Sequence, residues 1–280
     1  MDRTLDDRDG PGASGGDPAD PARHLGCAGG TVVTALLRAS GLSKRYGGLL
    51  ACNDFALAVM PGSLHALIGP NGAGKSTAIG LLSGEIAADA GNITFGGSDI
   101  TQVAIPARVK RGLTRSFQIT SVLPQFTALE NVAVVAQIRA GHSFCFWRDA
   151  RDDRRLTDPA RAMLDRVGLG PRAAILAADL AHGEQRQLEL AMALMTGARM
   201  LLLDEPMAGL GQSESQEMTA LLAALKGRVT ILLVEHDMDA VAALADRVSV
   251  MVSGRVIAEG SFADMQSDPA VREAYLGEAG

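Results

Sequence analysis

Apolar positions in this chain fall into two patterns. Leu64-His65-Ala66-Leu67-Ile68, Met200-Leu201-Leu202-Leu203, Thr230-Ile231-Leu232-Leu233-Val234 and Val248-Ser249-Val250-Met251-Val252 are short, nearly continuous apolar runs. Such runs predict strands covered on both faces of a sheet. Leu36, Leu37 and Leu42 predict a first strand, and residues 52–59 a second one ended by Pro61-Gly62. Residues 91–97 predict a short strand closed by a Gly-Gly turn. The other pattern has helical spacing. It covers residues 77–82 and, with few interruptions, the stretch from about Pro106 to Leu180. Within that stretch Thr127-x-x-Glu130 is a capping box opening a helix through Val132, Val135 and Ile138. Asp158-Pro159 predicts a helix start, with Ala160, Met163, Leu164 and Val167 on one face. Ser213-x-x-Gln216 predicts another, with Met218, Leu221, Leu222 and Leu225 as its apolar stripe. Strands alternating with helices predict an α/β fold with a mostly parallel sheet, interrupted by a helical insertion at about 106–190. Residues 1–33 are rich in Asp, Gly, Pro, Ala and Ser and carry no periodicity, which predicts a disordered N-terminal tail before a domain at 34–280.

Composition narrows the setting. Aromatic residues make up only 4% of the chain, so the core is aliphatic. The formal charge is −6, of which −4 lies within residues 1–22, leaving the remainder near neutral. No basic field of the kind a nucleic-acid binder uses is present, so no nucleic-acid partner is expected. Cys27, Cys52 and Cys145 are few, odd in number and widely spaced, which points to a reducing compartment. The acidic N-terminus does not fit a signal peptide, and no apolar run approaches 18 residues. The expected compartment is the cytoplasm, so work at a membrane would need another chain to hold this one there.

The chemistry centres on Gly69-Pro70-Asn71-Gly72-Ala73-Gly74-Lys75-Ser76-Thr77, a phosphate-binding loop of the form G-x-x-x-x-G-K-[ST] between a predicted strand and a predicted helix. Its glycines let successive N–H groups face an anion at the helix N-terminus. Lys75 is expected to reach the β- and γ-phosphates, and the Ser76 hydroxyl to sit on Mg²⁺. The loop alone leaves kinase, GTPase and transport ATPase open. The run ending Leu203-Asp204-Glu205-Pro206 adds two carboxylates at a strand end. Asp204 is expected on the Mg²⁺ side, and Glu205 is placed to orient or deprotonate the attacking water.

Leu180-Ala181-His182-Gly183-Glu184-Gln185 precedes that strand by one helix and resembles the signature segment, usually L-S-G-G-Q, of ATP-binding-cassette ATPases. Gly183 opens a helix whose bare N–H groups would suit a γ-phosphate. The resemblance covers roughly residues 34–280. It implies a P-loop (RecA-like) ATPase core with an antiparallel β subdomain, ATP and Mg²⁺ as ligands, and a second ATPase chain packed head to tail. In that arrangement Ala181, Gly183 and Glu184 would close over the partner's nucleotide. The resemblance further implies that Tyr46 stacks on adenine, that Gln118 approaches Mg²⁺ and water, and that His236 contacts the γ-phosphate. Ala181, His182 and Glu184 depart from the usual signature residues, and Gly211 stands where the family normally has Asp, a residue that helps couple the two ATP sites.

Arg45-Tyr46-Gly47-Gly48-Leu49-Leu50-Ala51, the signature with Leu188-Glu189, Glu235-His236-Asp237-Met238 and Ala274-Tyr275-Leu276-Gly277 are similar to the ATPases of branched-chain amino-acid importers. That branch implies membrane-spanning permease subunits, a homo- or heterodimeric ATPase pair, and, indirectly, a periplasmic or lipid-tethered binding protein. It also implies a peripheral position on the cytoplasmic face of a bacterial inner (plasma) membrane. Urea or amide uptake, lipopolysaccharide export and a soluble non-transport ATPase are the alternatives. The segment after Gln118, with Val122, Leu123, Pro124, Phe126 and Leu129, and the aromatic cluster Phe144-Cys145-Phe146-Trp147 either pack inside the helical insertion or form, in part, a groove for a short cytoplasmic helix of a membrane subunit.

Overall fold

The computed structural model describes residues 34–116, 122–141 and 153–276. Its elements run β1 (Leu37–Tyr46), β2 (Leu49–Val59), β3 (Leu64–Ile68), α1 (Lys75–Ser83), β4 (Ala90–Phe95), β5 (Ser98–Asp99), α2 (Ile105–Lys110) and β6 (Leu113–Ser116). They continue with α3 (Ala128–Ala140), α4 (Arg154–Arg166), α5 (His182–Met195), β7 (Met200–Asp204), α6 (Gln212–Leu225), β8 (Thr230–Val234), α7 (Met238–Leu244), β9 (Arg247–Val252), β10 (Arg255–Gly260), α8 (Phe262–Ser267) and α9 (Pro269–Leu276).

The apolar runs form the centre of a six-stranded sheet ordered β10-β9-β3-β8-β7-β6, parallel except for β10 on β9. Alternate side chains of each strand enter different cores, which is why the runs are apolar throughout. Leu201, Leu203, Ile231 and Leu233 pack with α5 and α6, while Met200, Leu202, Leu232 and Val234 pack with α1 and a four-stranded antiparallel sheet ordered β2-β1-β4-β5. Parallel pairing also gathers the chemistry at one edge. β3, β8 and β7 are neighbours, and their carboxyl ends lead into the phosphate loop, Glu235-His236 and Asp204-Glu205 respectively.

The helical reading changes at four places. β6 is a strand within the stretch expected to be helical, paired parallel to β7 from Leu113↔Met200 to Ser116↔Leu203. Its four residues include Thr114 and Arg115, too few and too polar to announce a strand by pattern. α4 starts one turn before Asp158, capped by Asp153, whose side chain accepts from Arg155 N at 3.0 Å. Pro159 therefore sits inside the helix. Burial of Leu156 extends the Ala160/Leu164 stripe backward and offsets the hydrogen bond that proline cannot make. The capping box at Thr127 and Glu130 forms as predicted, with Thr127 N donating to Glu130 Oε2 at 2.8 Å and Glu130 N to Thr127 Oγ1 at 3.2 Å. The helix it opens, however, buries Ala128, Val132, Ala133 and Ala136, and leaves Ile138 66% exposed. α6 is capped at Gly211, with Ser213 already in its first turn.

Candidate active site

The loop between β3 and α1 turns on backbone that only glycine accepts. Gly74 caps α1 at φ 102°, and a Cβ there would lie 2.2 Å from the Ala51 carbonyl oxygen. Lys75 is buried and donates from Nζ to the carbonyls of Gly69 at 2.6 Å and Pro70 at 2.9 Å, which draws the ammonium along the inside of the loop. Residues 71–77, Tyr46 and Glu205 line one cavity of about 490 Å³, joined by Leu49, Leu50, Ala51, Ser253 and Gly254. Tyr46 presents an exposed ring at its mouth, with Lys44 Nζ 5.7 Å from the ring centroid. A loop of N–H groups, an internal ammonium and an aromatic face suit a nucleotide with its phosphates inward.

Asp204 ends β7 beside this cavity. Its Oδ2 accepts from Arg115 Nη2 at 2.9 Å, and Arg115 also pairs with Glu85 after α1. Asp204 Oδ1 is buried and has no hydrogen-bond partner. Burial pushes the Asp204 carboxyl above its ordinary range, and the Arg115 guanidinium only partly counters it. A second cation would satisfy the orphaned oxygen, so Asp204 with the cavity-lining Ser76 fits Mg²⁺. No cluster of three or more His, Cys, Asp or Glu that could hold a metal exists among the described residues. Mg²⁺ needs none, because one or two carboxylates plus substrate phosphates suffice. Gln118 lies outside the described residues.

Glu205 adopts φ 51°, a left-handed conformation uncommon for a non-glycine residue. Its N–H donates to Val234 O at 2.9 Å, and its carbonyl accepts from Ala208 N at 3.0 Å. The side chain of Glu235, which follows β8, accepts from Met207 N at 2.9 Å, His236 N at 3.0 Å and Asp237 N at 3.4 Å. His236 itself is exposed at the strand end.

Ala181, Gly183 and Glu184 do not line the cavity, and two N–H groups at the start of α5 are already occupied. Gly183 N donates to Glu214 Oε1 at 3.2 Å, and Ala181 N to Glu184 Oε2 at 2.9 Å. Gly183 is needed for this approach, since a Cβ there would sit 2.8 Å from Glu214 Oε1. Glu184 is also gripped by Arg172 at 2.8 and 3.1 Å, and those hydrogen bonds hold its carboxyl below the ordinary value. Fixed carboxylates at that helix end repel phosphate, so neither Glu184 nor the occupied Ala181 and Gly183 N–H groups can meet one in this conformation.

Phe126, Leu129, Ala133, Val134 and Pro171 line a second, mainly apolar cavity of about 470 Å³ beside α3 and α4, with Glu130 and Arg161 at its polar margin. Phe126 and Leu123 are exposed, while Val122 and Leu129 pack partly against the helical core. Residues 144–147 lie outside the described residues.

Arg115, Glu214 and Glu235 emerge only from the tertiary structure. Glu235 had one local signal, a carboxylate directly after a fully apolar strand. Arg115 and Glu214 had none, because their partners lie 89 and 31 residues away.

Residues 52–208 match the family model described as ABC transporter, and residues 255–280 match the one described as branched-chain amino acid ATP-binding cassette transporter. The chain is 38% identical to the high-affinity branched-chain amino acid transport ATP-binding protein BraF of Pseudomonas aeruginosa, over 87% of this chain and 98% of the relative. It is 36% identical to LivG of Escherichia coli K12, with the same two coverages. It is 37% identical to the probable LivG of Archaeoglobus fulgidus, over 86% of this chain and 95% of that one. Among solved structures, the ADP conformation of the ATP-binding cassette MJ1267 superposes with a TM-score of 0.78 at 30% identity, covering 87% of this chain and 99% of that one. A nucleotide-free ATP-binding cassette from an ABC transporter gives 0.77 at 30% identity, with 86% and 99% covered.

Proposed function

This chain belongs to the ABC transporter family, and on that premise we propose that it is the ATP-hydrolysing subunit of an importer for branched-chain or related small amino acids. The observation that carries the catalytic part is the placement of Glu205 in the same cavity as Lys75 and Ser76, directly after Asp204. Relatives matched over nearly their whole length bear names of branched-chain amino acid transport, which supports the importer branch.

In this reading Gly69, Pro70, Asn71, Gly72, Ala73, Gly74, Lys75, Ser76 and Thr77 hold the phosphates and Tyr46 stacks on adenine. Ser76 and Asp204, with Gln118, hold Mg²⁺, which when bound neutralises charge on the phosphate oxygens. Glu205 accepts a hydrogen bond from water and aims it at the γ-phosphorus, and His236 contacts the γ-phosphate. The start of α5, at Ala181 and Gly183, meets the nucleotide of a second ABC ATPase chain, which requires those N–H groups to leave Glu184 and Glu214. No helix among the described residues is long and apolar enough to cross a membrane, and the relatives' names as transport ATP-binding proteins support permease subunits as partners. The chain works peripherally on the cytoplasmic face of the membrane, and a binding protein on the other side delivers the amino acid.

Uptake of labelled leucine, isoleucine and valine in the source organism tests this. Deleting the gene should abolish it, and restoring the wild-type gene, but not Glu205→Gln, should recover it. Uptake unchanged by the deletion would leave an ATPase that serves another cargo.

A further inference from the structure

Glu235 is a carboxylate whose side chain is wholly buried, and its partners among the described residues include no lysine or arginine. A buried carboxylate persists only if hydrogen bonds replace its lost hydration. Here three backbone N–H groups do so, and they belong to two different loops. Oε1 holds Met207 N at 2.9 Å, in the turn that begins at Glu205. Oε2 holds His236 N at 3.0 Å and Asp237 N at 3.4 Å, and lies 3.7 Å from His236 Nδ1.

The first loop needs such a hold. Glu205 stands at φ 51°, a conformation that survives in a non-glycine residue only where its surroundings over-determine it. The Val234 carbonyl fixes the turn at Glu205 N, and the Ala208 N–H closes it. Glu235 fixes the far side at Met207. The same carboxylate therefore sets where the Glu205 side chain departs from the backbone and where His236 leaves its strand.

We infer that Glu235 is a positioning residue, which keeps Glu205 and His236 in register so that both reach one γ-phosphate. This rests on the reading that Glu205 and His236 act there. A rigid clamp of this kind matters because a displacement of about 1 Å in a reacting group can cost on the order of 10²-fold in rate. Nucleotide binding, which depends on the phosphate loop after a different strand, is not part of the role.

The test uses the full chain in excess over Mg²⁺–ATP, so that one turnover is followed. Glu235→Gln preserves shape and one acceptor oxygen, but turns an amide N–H₂ toward one of the backbone N–H groups. Hydrolysis should fall about 10- to 100-fold while nucleotide Kd stays within about twofold. In a Glu205→Gln background the same substitution should lower hydrolysis by clearly less than it does in the wild type, because one of the two groups it positions is already disabled and only the contribution of His236 remains to be lost. Wild-type hydrolysis in Glu235→Gln, a matching loss of nucleotide affinity, or an equal fold loss in both backgrounds would overturn the inference. A change that merely destabilises the fold gives the last of these, so the comparison holds even if melting temperature drops. Full hydrolysis in Glu205→Gln alone overturns the underlying reading instead, and is seen separately from any failure of Glu235.

Discussion

Arg115 Nη2 donates to Asp204 Oδ2 at 2.9 Å, joining the ends of β6 and β7 with both side chains almost wholly buried. The pair ties the candidate metal-side carboxylate to the strand that leads directly into Gln118. Through Glu85 it is also tied to the segment after the phosphate-loop helix. Its partners are incomplete, since Arg115 Nε and Asp204 Oδ1 are buried without a hydrogen bond.

Breaking this pair from one side leaves a buried charge uncompensated. Arg115→Met is expected to cost about 3–5 kcal/mol in urea unfolding, whereas Arg115→Met combined with Asp204→Asn should recover most of that loss. Equal losses in the single and double variants would show that the guanidinium acts by packing alone.

His65 gives a pH dependence with a defined sign. It is buried in β3 with Nε2 2.8 Å from Ser249 Oγ, and burial, with Arg247 nearby, pulls its pKa down from 6.5 to about 4. Between those values the unfolded chain binds a proton that the folded chain does not. This stabilising contribution is complete above pH 6.5 and is lost as pH falls towards 4, by about 3 kcal/mol in all. Chemical denaturation across that range should show this slope in the wild type and a shallower one in His65→Gln.

Nucleotide binding and hydrolysis should separate. Lys75→Ala removes the ammonium drawn into the phosphate loop and should abolish tight ATP binding in a fluorescent-nucleotide titration. Glu205→Gln should keep that binding and lower phosphate release by about 10²- to 10⁴-fold, the range for an acid–base group. Full turnover in Glu205→Gln would sink its assignment.

Phe126, exposed beside an apolar cavity next to α3 and α4, provides the test of membrane coupling. An apolar helix from a permease subunit seated there would not tolerate a charge. Phe126→Asp should leave the melting temperature within a few degrees and ATP binding unchanged, while co-purification with the membrane subunits is lost. Unfolding of the variant would place Phe126 in the core.

The positions of the phosphate loop after β3, of Asp204 and Glu205 at the end of β7 and of His236 after β8 were legible in the sequence because each directly follows or closes an apolar run. A glycine-rich turn after an apolar run, or an acid at the end of one, needs no distant information. The alternating β/α order was legible for the same reason, since buried parallel strands must be apolar on both faces. What the tertiary structure decided are relations between stretches. β6 is a strand because β7 offers it a hydrogen-bonding edge, not because its own residues prefer one. The Gly183 N–H at the start of α5 is covered because α6 brings Glu214 to it from 31 residues away. Asp204 meets Arg115, and Glu235 joins the turn after Glu205 to His236, only once the sheet sets three strands side by side. Periodicity records which face of an element is buried, while the partner that satisfies a buried charge is chosen by packing across the whole fold.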